Sequence, residues 1–446
     1  MKTQPDSDDY YMSPPSWAYV RQVVSGGFFR GVMTLMSGTA LAKGLTIAAA
    51  PILTRLYEPS AFGILGLFIA VIGTVSVVAA WRYELAIVIP RSDDDAANVL
   101  ALSCMAVLLT SAASLVGVHL LGKQLATWLG SPELARWLLW APLAIALMGL
   151  YQIFSYWSTR REHFGRLAMA QTLHSTTMVS TQIVAGLNHL AAAGLIAGQV
   201  AGKLVATGLL AVKIWRQERS LFYTTINTTA IRQVSRDHSN FPHYSAPQAL
   251  INAFSRHLPI FILAFYFNPA IVGYYALAHR VLKLPILLIG DAVRQAFYPQ
   301  GAKLFHEGRL AIFLARTTIG LTLLCLPLAL ALVFLGPQVF AWALGENWIR
   351  SGIYAQVMGF WLLSSVVMAP SLMAIHILGL QKLHAIAESV VLLLRAAALV
   401  IGGLLASDLL AIILYSAVGL AMNTFLIGSA ILGSSRKRTP DVQGET

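Results

Sequence analysis

Apolar runs of about 20 residues, each ended by a short polar break, recur from residue 33 to residue 432. As helices, runs of that length cross the hydrocarbon core of a bilayer. They lack the residue-by-residue alternation of a barrel strand, and a helix satisfies its own backbone where no water is at hand. The pattern predicts an all-α integral membrane protein. The expected spans are 33–54, 61–81, 96–120, 134–157, 168–188, 190–212, 247–267, 271–296, 311–334, 352–377, 383–404 and 407–432, which makes about twelve transmembrane helices.

The longest hydrophilic stretch, Lys213 to Ser245, falls between the sixth and seventh expected spans. It implies five parts: an N-terminal segment over 1–32, a six-helix bundle over 33–212, a linker over 213–246, a second six-helix bundle over 247–432 and a tail over 433–446. A repeated motif supports the division. "LTRLYEPSAFGILGL", Leu53 to Leu67, is echoed by "LAFYFNPAIVGYYAL", Leu263 to Leu277. A shift of 210 positions places Pro269 on Pro59, Gly273 on Gly63 and Phe267 on Tyr57. Proline ends one helix and opens the next, and the glycine four positions on permits close packing. Each copy lies between the first and second helix of its half. Both halves hold an even number of helices, so the repeat is parallel, with an axis along the membrane normal. Two pseudo-symmetric bundles around a central cleft are the expected architecture.

Composition agrees: 57% of the 446 residues are hydrophobic and 11% charged, and the mean hydropathy is +0.68. The net charge of +12 raises the question of nucleic acid, but the cations follow the topology. Lys2, Arg21 and Arg30 precede the first span; Arg82, Arg91, Arg160, Arg161 and Arg166 follow the second and fourth; Lys213, Arg216, Arg219, Arg232 and Arg236 follow the sixth. Lys303, Arg309, Lys382, Arg436, Lys437 and Arg438 continue the series. The rule that positive loops stay inside puts both termini in the cytoplasm, and no nucleic-acid partner is implied. Residues 1–30 have no short apolar core with a cleavage site, so no signal peptide is expected. Cys104 and Cys325 sit inside expected spans and imply neither a disulfide nor a metal site.

Charges inside the spans change the picture further, because each costs about 2.5–3.5 kcal/mol on insertion scales. Lys43 lies near the middle of the first span and Arg256 near the middle of the seventh, the lead helices of the two halves. Arg280 and Lys283 share one face of the eighth, while Lys203 and Arg395 lie in the sixth and eleventh. These six are the expected lining of a cationic cleft for an anionic substrate, arginine offering a planar fork to phosphate. The competing account has Lys43 and Lys203 snorkelling, Arg395 paired with Glu388, and Arg280 paired with Asp291. Glu388 and Asp291 are also candidates for coupling to an ion. Gly194, Gly198 and Gly202 form a small-residue packing stripe. His257, His279 and His376 lack paired carboxylates or an HExxH pattern, so they are read as packing histidines, and no catalytic residue or metal site is identified.

"PILTRLYEPSAFGILGLF", then "WRYELAIVIPRSDDDAANVLALS", resembles the amino-terminal region of bacterial polysaccharide exporters of the O-antigen flippase type. "RHLPIFILAFYFNPAIVGYYALAHRVLKLPILLIGDAVRQAFYP" resembles the seventh and eighth helices of the same family. The resemblance implies a member of the multidrug/oligosaccharidyl-lipid/polysaccharide exporter superfamily in the bacterial inner membrane. Such a protein moves undecaprenyl-diphosphate-linked oligosaccharide to the periplasmic leaflet for O-antigen or exopolysaccharide synthesis. It works by alternating access, with a proton or sodium gradient in place of a cofactor. A polysaccharide polymerase and chain-length machinery are the implied protein partners. Two other functions compete. A cation-coupled exporter of amphipathic small molecules would favour acids in the cleft, and a membrane polysaccharide polymerase would need a large outer loop, whereas the longest here is near Gly336 to Ser351.

Overall fold

The computed structural model describes residues 27–436. Lys2 and Arg21 of the expected N-terminal segment, and Lys437 and Arg438 of the expected tail, lie outside these. Among the described residues all regular structure is helical. The first half comprises α1 (Gly27–Ala48), α2 (Ala50–Leu56), α3 (Pro59–Ser76), a 3-10 helix (Tyr83–Val88), α4 (Asp93–Trp128), α5 (Leu134–Leu138), α6 (Ala141–Arg160), α7 (Phe164–Leu187) and α8 (Ala191–Thr225). After α9 (Thr228–Asp237) the second half comprises α10 (Ala246–Tyr266), α11 (Pro269–His306), α12 (Leu310–Leu344), α13 (Ile349–Ile377), α14 (Gln381–Leu404) and α15 (Asp408–Arg436).

Among the described residues nine helical segments are long and apolar enough to cross a membrane by length and composition, which makes this a multi-pass membrane protein. The other three expected spans, 134–157, 168–188 and 271–296, are also helical, α5 and α6, α7 and α11. They fall below that apolarity because they carry Gln152; Gln171, His174 and Gln182; and His279, Arg280, Lys283, Asp291 and Arg294. The expected 213–246 linker is largely helical, since α8 runs on to Thr225 and α9 follows.

The same pairings hold each half together. α1 packs on α7, α7 on α8, α4 on α6 and α6 on α8; at the equivalent places α10 packs on α14, α14 on α15, α12 on α13 and α13 on α15. The glycine stripe lies at the α7–α8 contact: Gly194 abuts Ala185 and the Tyr57 ring, Gly198 abuts Gln182, and Gly202 abuts the His174 carbonyl. α3 and α13 are the most enclosed helices, with Leu67, Phe68, Tyr354 and Val366 fully buried, as apolar residues on every face require.

The two halves meet at the repeated bend. Pro59 and Pro269 each take the first position of a helix, where a missing N–H leaves no donor unsatisfied. Asn268 caps its helix by accepting from the Ile271 N–H at 3.2 Å. The glycine four residues on lets α3 and α11 cross almost backbone to backbone. Gly63 lies against the Pro269 carbonyl, and Gly273 lies against the Pro59 carbonyl. The contact is reciprocal, the signature of an interface across a two-fold axis. Beside it Trp348, fully buried, donates its indole N–H to the Thr54 carbonyl at 2.8 Å and meets Phe62 and Tyr274 edge-on at 5.0 and 6.0 Å. Arg55 adds a bond to the Trp342 carbonyl at 3.1 Å. The expected outer loop at Gly336–Ser351 is thus mostly helix that carries this tryptophan into the seam between the halves.

At the opposite end a polar network ties down the first half. Arg160 donates to Asp93 at 3.0 Å and to the Pro90 carbonyl at 2.7 Å. Arg161 reaches Asp93 at 2.6 Å and Glu218 at 3.0 Å, and Glu218 also accepts from the Trp157 indole at 2.9 Å.

Candidate substrate cleft

Four of the six expected cations converge. Arg256 from α10, Arg280 and Lys283 from α11 and Arg395 from α14 line one cavity of about 880 Å³. Arg256 and Arg280 lie a few turns from the bend on neighbouring helices, and Arg280 and Lys283, three residues apart, share a face. Lys43 of α1 lines an adjoining cavity of about 400 Å³ together with Thr39, Gln171 and His174. Arg280 and Lys283 line this cavity too, so the two spaces meet between the halves. Lys203 lines neither of these cavities, though its own shares Gln171 with the Lys43 cavity. It lines a third cavity of about 400 Å³ with Gln152 and Tyr156, its ammonium 3.8 Å from the Tyr151 ring centroid.

None of the six cations makes an ion pair with a carboxylate among the described residues. The pairings weighed from sequence do not form. Arg395 instead lies over Trp361 and Tyr415, 4.8 and 5.4 Å from their ring centroids, with its buried Nε left without a hydrogen bond. Arg280 pairs with no acid, and Asp291 is bonded one turn along its own helix by Arg294. The side chain of Asp291 is 55% exposed, and it lines neither cavity. Glu388 does line the large cavity, with His384 at 3.6 Å as its neighbour.

Sequence reasoning missed several wall residues. His257 and His279, read as packing histidines, line the cavity; the His279 ring stacks on Tyr275 at 5.7 Å. Each adjoins a cation in sequence, Arg256 and Arg280, and that adjacency was the available signal. Trp361, Tyr275 and Tyr415 give the cavity an aromatic wall that an apolar run does not disclose. Cations, amides and aromatic faces together suit an anionic, sugar-bearing molecule: guanidinium forks hold phosphate oxygens, while flat rings offer stacking surface.

The fold and cleft define an all-helical membrane protein of two bundles with cation-lined cavities between them. The chain belongs to the polysaccharide biosynthesis protein family, whose model matches residues 52–352. It is 22% identical over 330 residues to the succinoglycan biosynthesis transport protein ExoT of Rhizobium meliloti (strain 1021), an alignment covering 73% of this chain and 64% of that protein. In fold it is similar to the lipid II flippase MurJ in an inward closed conformation, with a TM-score of 0.68 and 15% identity over 91% of this chain and 90% of that one. It is also similar to an inward-facing multidrug resistance MATE family transporter of the MOP superfamily, with a TM-score of 0.55 and 13% identity over 91% of this chain and 99% of that one.

Proposed function

We propose that the chain is a flippase that carries undecaprenyl-diphosphate-linked oligosaccharide from the cytoplasmic to the periplasmic leaflet of the bacterial inner membrane, driven by an ion gradient. The observation that carries this reading is the convergence of Arg256, Arg280, Lys283 and Arg395 on one cavity without acidic partners. A diphosphate supplies the missing negative charge. An exporter of amphipathic cations would instead place carboxylates where these residues stand. A succinoglycan biosynthesis transport protein is similar in sequence and a lipid II flippase is similar in fold, which supports the substrate class. The chain acts as a carrier in this account, not as an enzyme.

The positive-inside pattern orients the bend toward the periplasm, so the halves are shut on that side and the cleft faces the cytoplasm. The units that rock are the bundles 33–212 and 247–432, about the Gly63–Gly273 crossing. α10 leans on α3, where the His257 ring lies against Gly73. On the other flank the Lys43 cavity lies between α1 and α11. The prenyl tail stays in the bilayer through that flank while the headgroup sits among the cations. With normal expression, Arg256→Ala is expected to leave lipid-linked oligosaccharide in the cytoplasmic leaflet and to strip polysaccharide from the cell surface. Unchanged surface polysaccharide refutes the role.

A further inference from the structure

The repeat fails at one place. α3 stops at Ser76, and the chain turns irregularly before the 3-10 helix at Tyr83. The equivalent stretch of the second half, 287–302, lies inside the unbroken α11. Two consecutive non-glycine residues at the break, Trp81 and Arg82, have positive φ of 51° and 66°. Bulky residues adopt that conformation only when their surroundings impose it, and such strain gathers at functional sites.

Glu84 lies in the first turn of the 3-10 helix that follows this break and is 1% exposed. Its Oε1 accepts from Arg82 at 3.3 Å and from Gln152 at 3.4 Å, both longer than a well-made charge-assisted bond. Its Oε2 and the Arg82 Nε are buried with no hydrogen-bond partner. Burial pushes the carboxyl above its ordinary value, while its own backbone hydrogen bond and Arg82 pull it down. A buried carboxylate so poorly paired favours its neutral form. Gln152 also lines the Lys203 cavity with Ser76 and Tyr156, so that cavity begins one side chain away from the carboxylate.

The other charged or titratable neighbours are one tyrosine and groups engaged elsewhere. From α6, Tyr156 faces the group, and Arg160 is held by Asp93 and the Ile87 and Pro90 carbonyls. From α4, Asp93 is taken by Arg160 and Arg161. With Arg82 on the same oxygen, and no group of three metal-ligating side chains among the described residues, the species that fits is a proton and not a metal cation.

We propose that Glu84 is a proton-binding site just past the break of α3, its carboxylate taking a proton from the Gln152-lined cavity and releasing Arg82. Its place in transport rests on the gradient-coupled account above, but proton uptake is measurable without any transport. Infrared difference spectra of the full chain in lipid nanodiscs are taken from alkaline pH down to just above the range of exposed carboxyls, about 4. Wild type is expected to gain a protonated-carboxyl band in this window, Glu84→Gln to lack it and Glu388→Gln to keep it. The same band in Glu84→Gln, or none in wild type, overturns the proposal. Arg82→Gln gives a second test that leaves the acid in place. It should raise the midpoint of the band by about one pH unit or more, the effect of losing a neighbouring positive charge, and an unmoved midpoint overturns the site. A normal band in a protein that moves no lipid-linked sugar counts against the flippase reading alone.

Discussion

Substituting alanine for Gly63 tests the crossing on which the two halves are proposed to rock. The added methyl would fall 2.6 Å from the Pro269 carbonyl carbon and overlap its oxygen. The obstacle is backbone, so no rotamer change can clear it. To bring that oxygen out to an ordinary contact of 3.4 Å or more, α3 and α11 must part by about 1.7 Å, a gap that forfeits more than half of the dispersion energy of the atoms it separates. Overpacking of this kind costs about 1–3 kcal/mol. Spread over the equilibrium between bend-closed and bend-open forms, that is a shift of about 5- to 150-fold toward the open form. Spin labels on the exposed residues Glu133 and Glu346, one in each half near the bend, would read the shift as a longer distance population. Gly273→Ala should match it, since its methyl meets the Pro59 carbonyl carbon at 2.9 Å. Gly208→Ala is the control, with open space around its added carbon. If Gly63→Ala behaves like Gly208→Ala in both distance and melting temperature, the crossing is not the contact described.

Two further substitutions probe the seam and the cavity. Trp348→Ala removes a fully buried indole and its bond to Thr54, and should lower stability by about 3–5 kcal/mol, seen as a lower melting temperature together with the bend-open distance. Arg395→Leu uncovers the Trp361 and Tyr415 rings and removes a cavity cation. It should weaken binding of undecaprenyl diphosphate in nanodiscs about tenfold, the loss of one charge-assisted contact of about 1.5 kcal/mol, whereas unchanged affinity would place the headgroup elsewhere.

The helices were legible because long apolar runs have few alternatives, and the bend was legible because proline and glycine carry local signals. The reciprocal glycine contact was not, since it joins residues 210 positions apart. Cations stand out in apolar runs, so Arg256, Arg280, Lys283 and Arg395 could be named from sequence. Which face they occupy could not. Asp291 comes eight residues after Lys283 on α11, about 80° further round the helix and two turns on, so it leaves the cavity and meets Arg294 instead. The break at Ser76 was hidden because Val77 to Ala80 are as apolar as the helix before them. Hydropathy carries the span on to residue 81, while the left-handed turn at Trp81 and Arg82 is set by packing. For the same reason Glu84 falls three residues past the expected span 61–81.

The central claim is that cations in the second-half cavity carry a lipid-linked diphosphate across the membrane. Its most direct test is a leaflet-accessibility measurement. Proteoliposomes with fluorescent undecaprenyl-diphosphate oligosaccharide in both leaflets are treated from outside with a membrane-impermeant reductant, and the protected fraction is followed under an imposed pH gradient. Wild type should empty the protected inner-leaflet pool, and Arg256→Ala with Arg280→Ala should leave it near the protein-free level. Equal emptying by wild type and the double variant, or a protected pool that wild type does not touch, would contradict the claim.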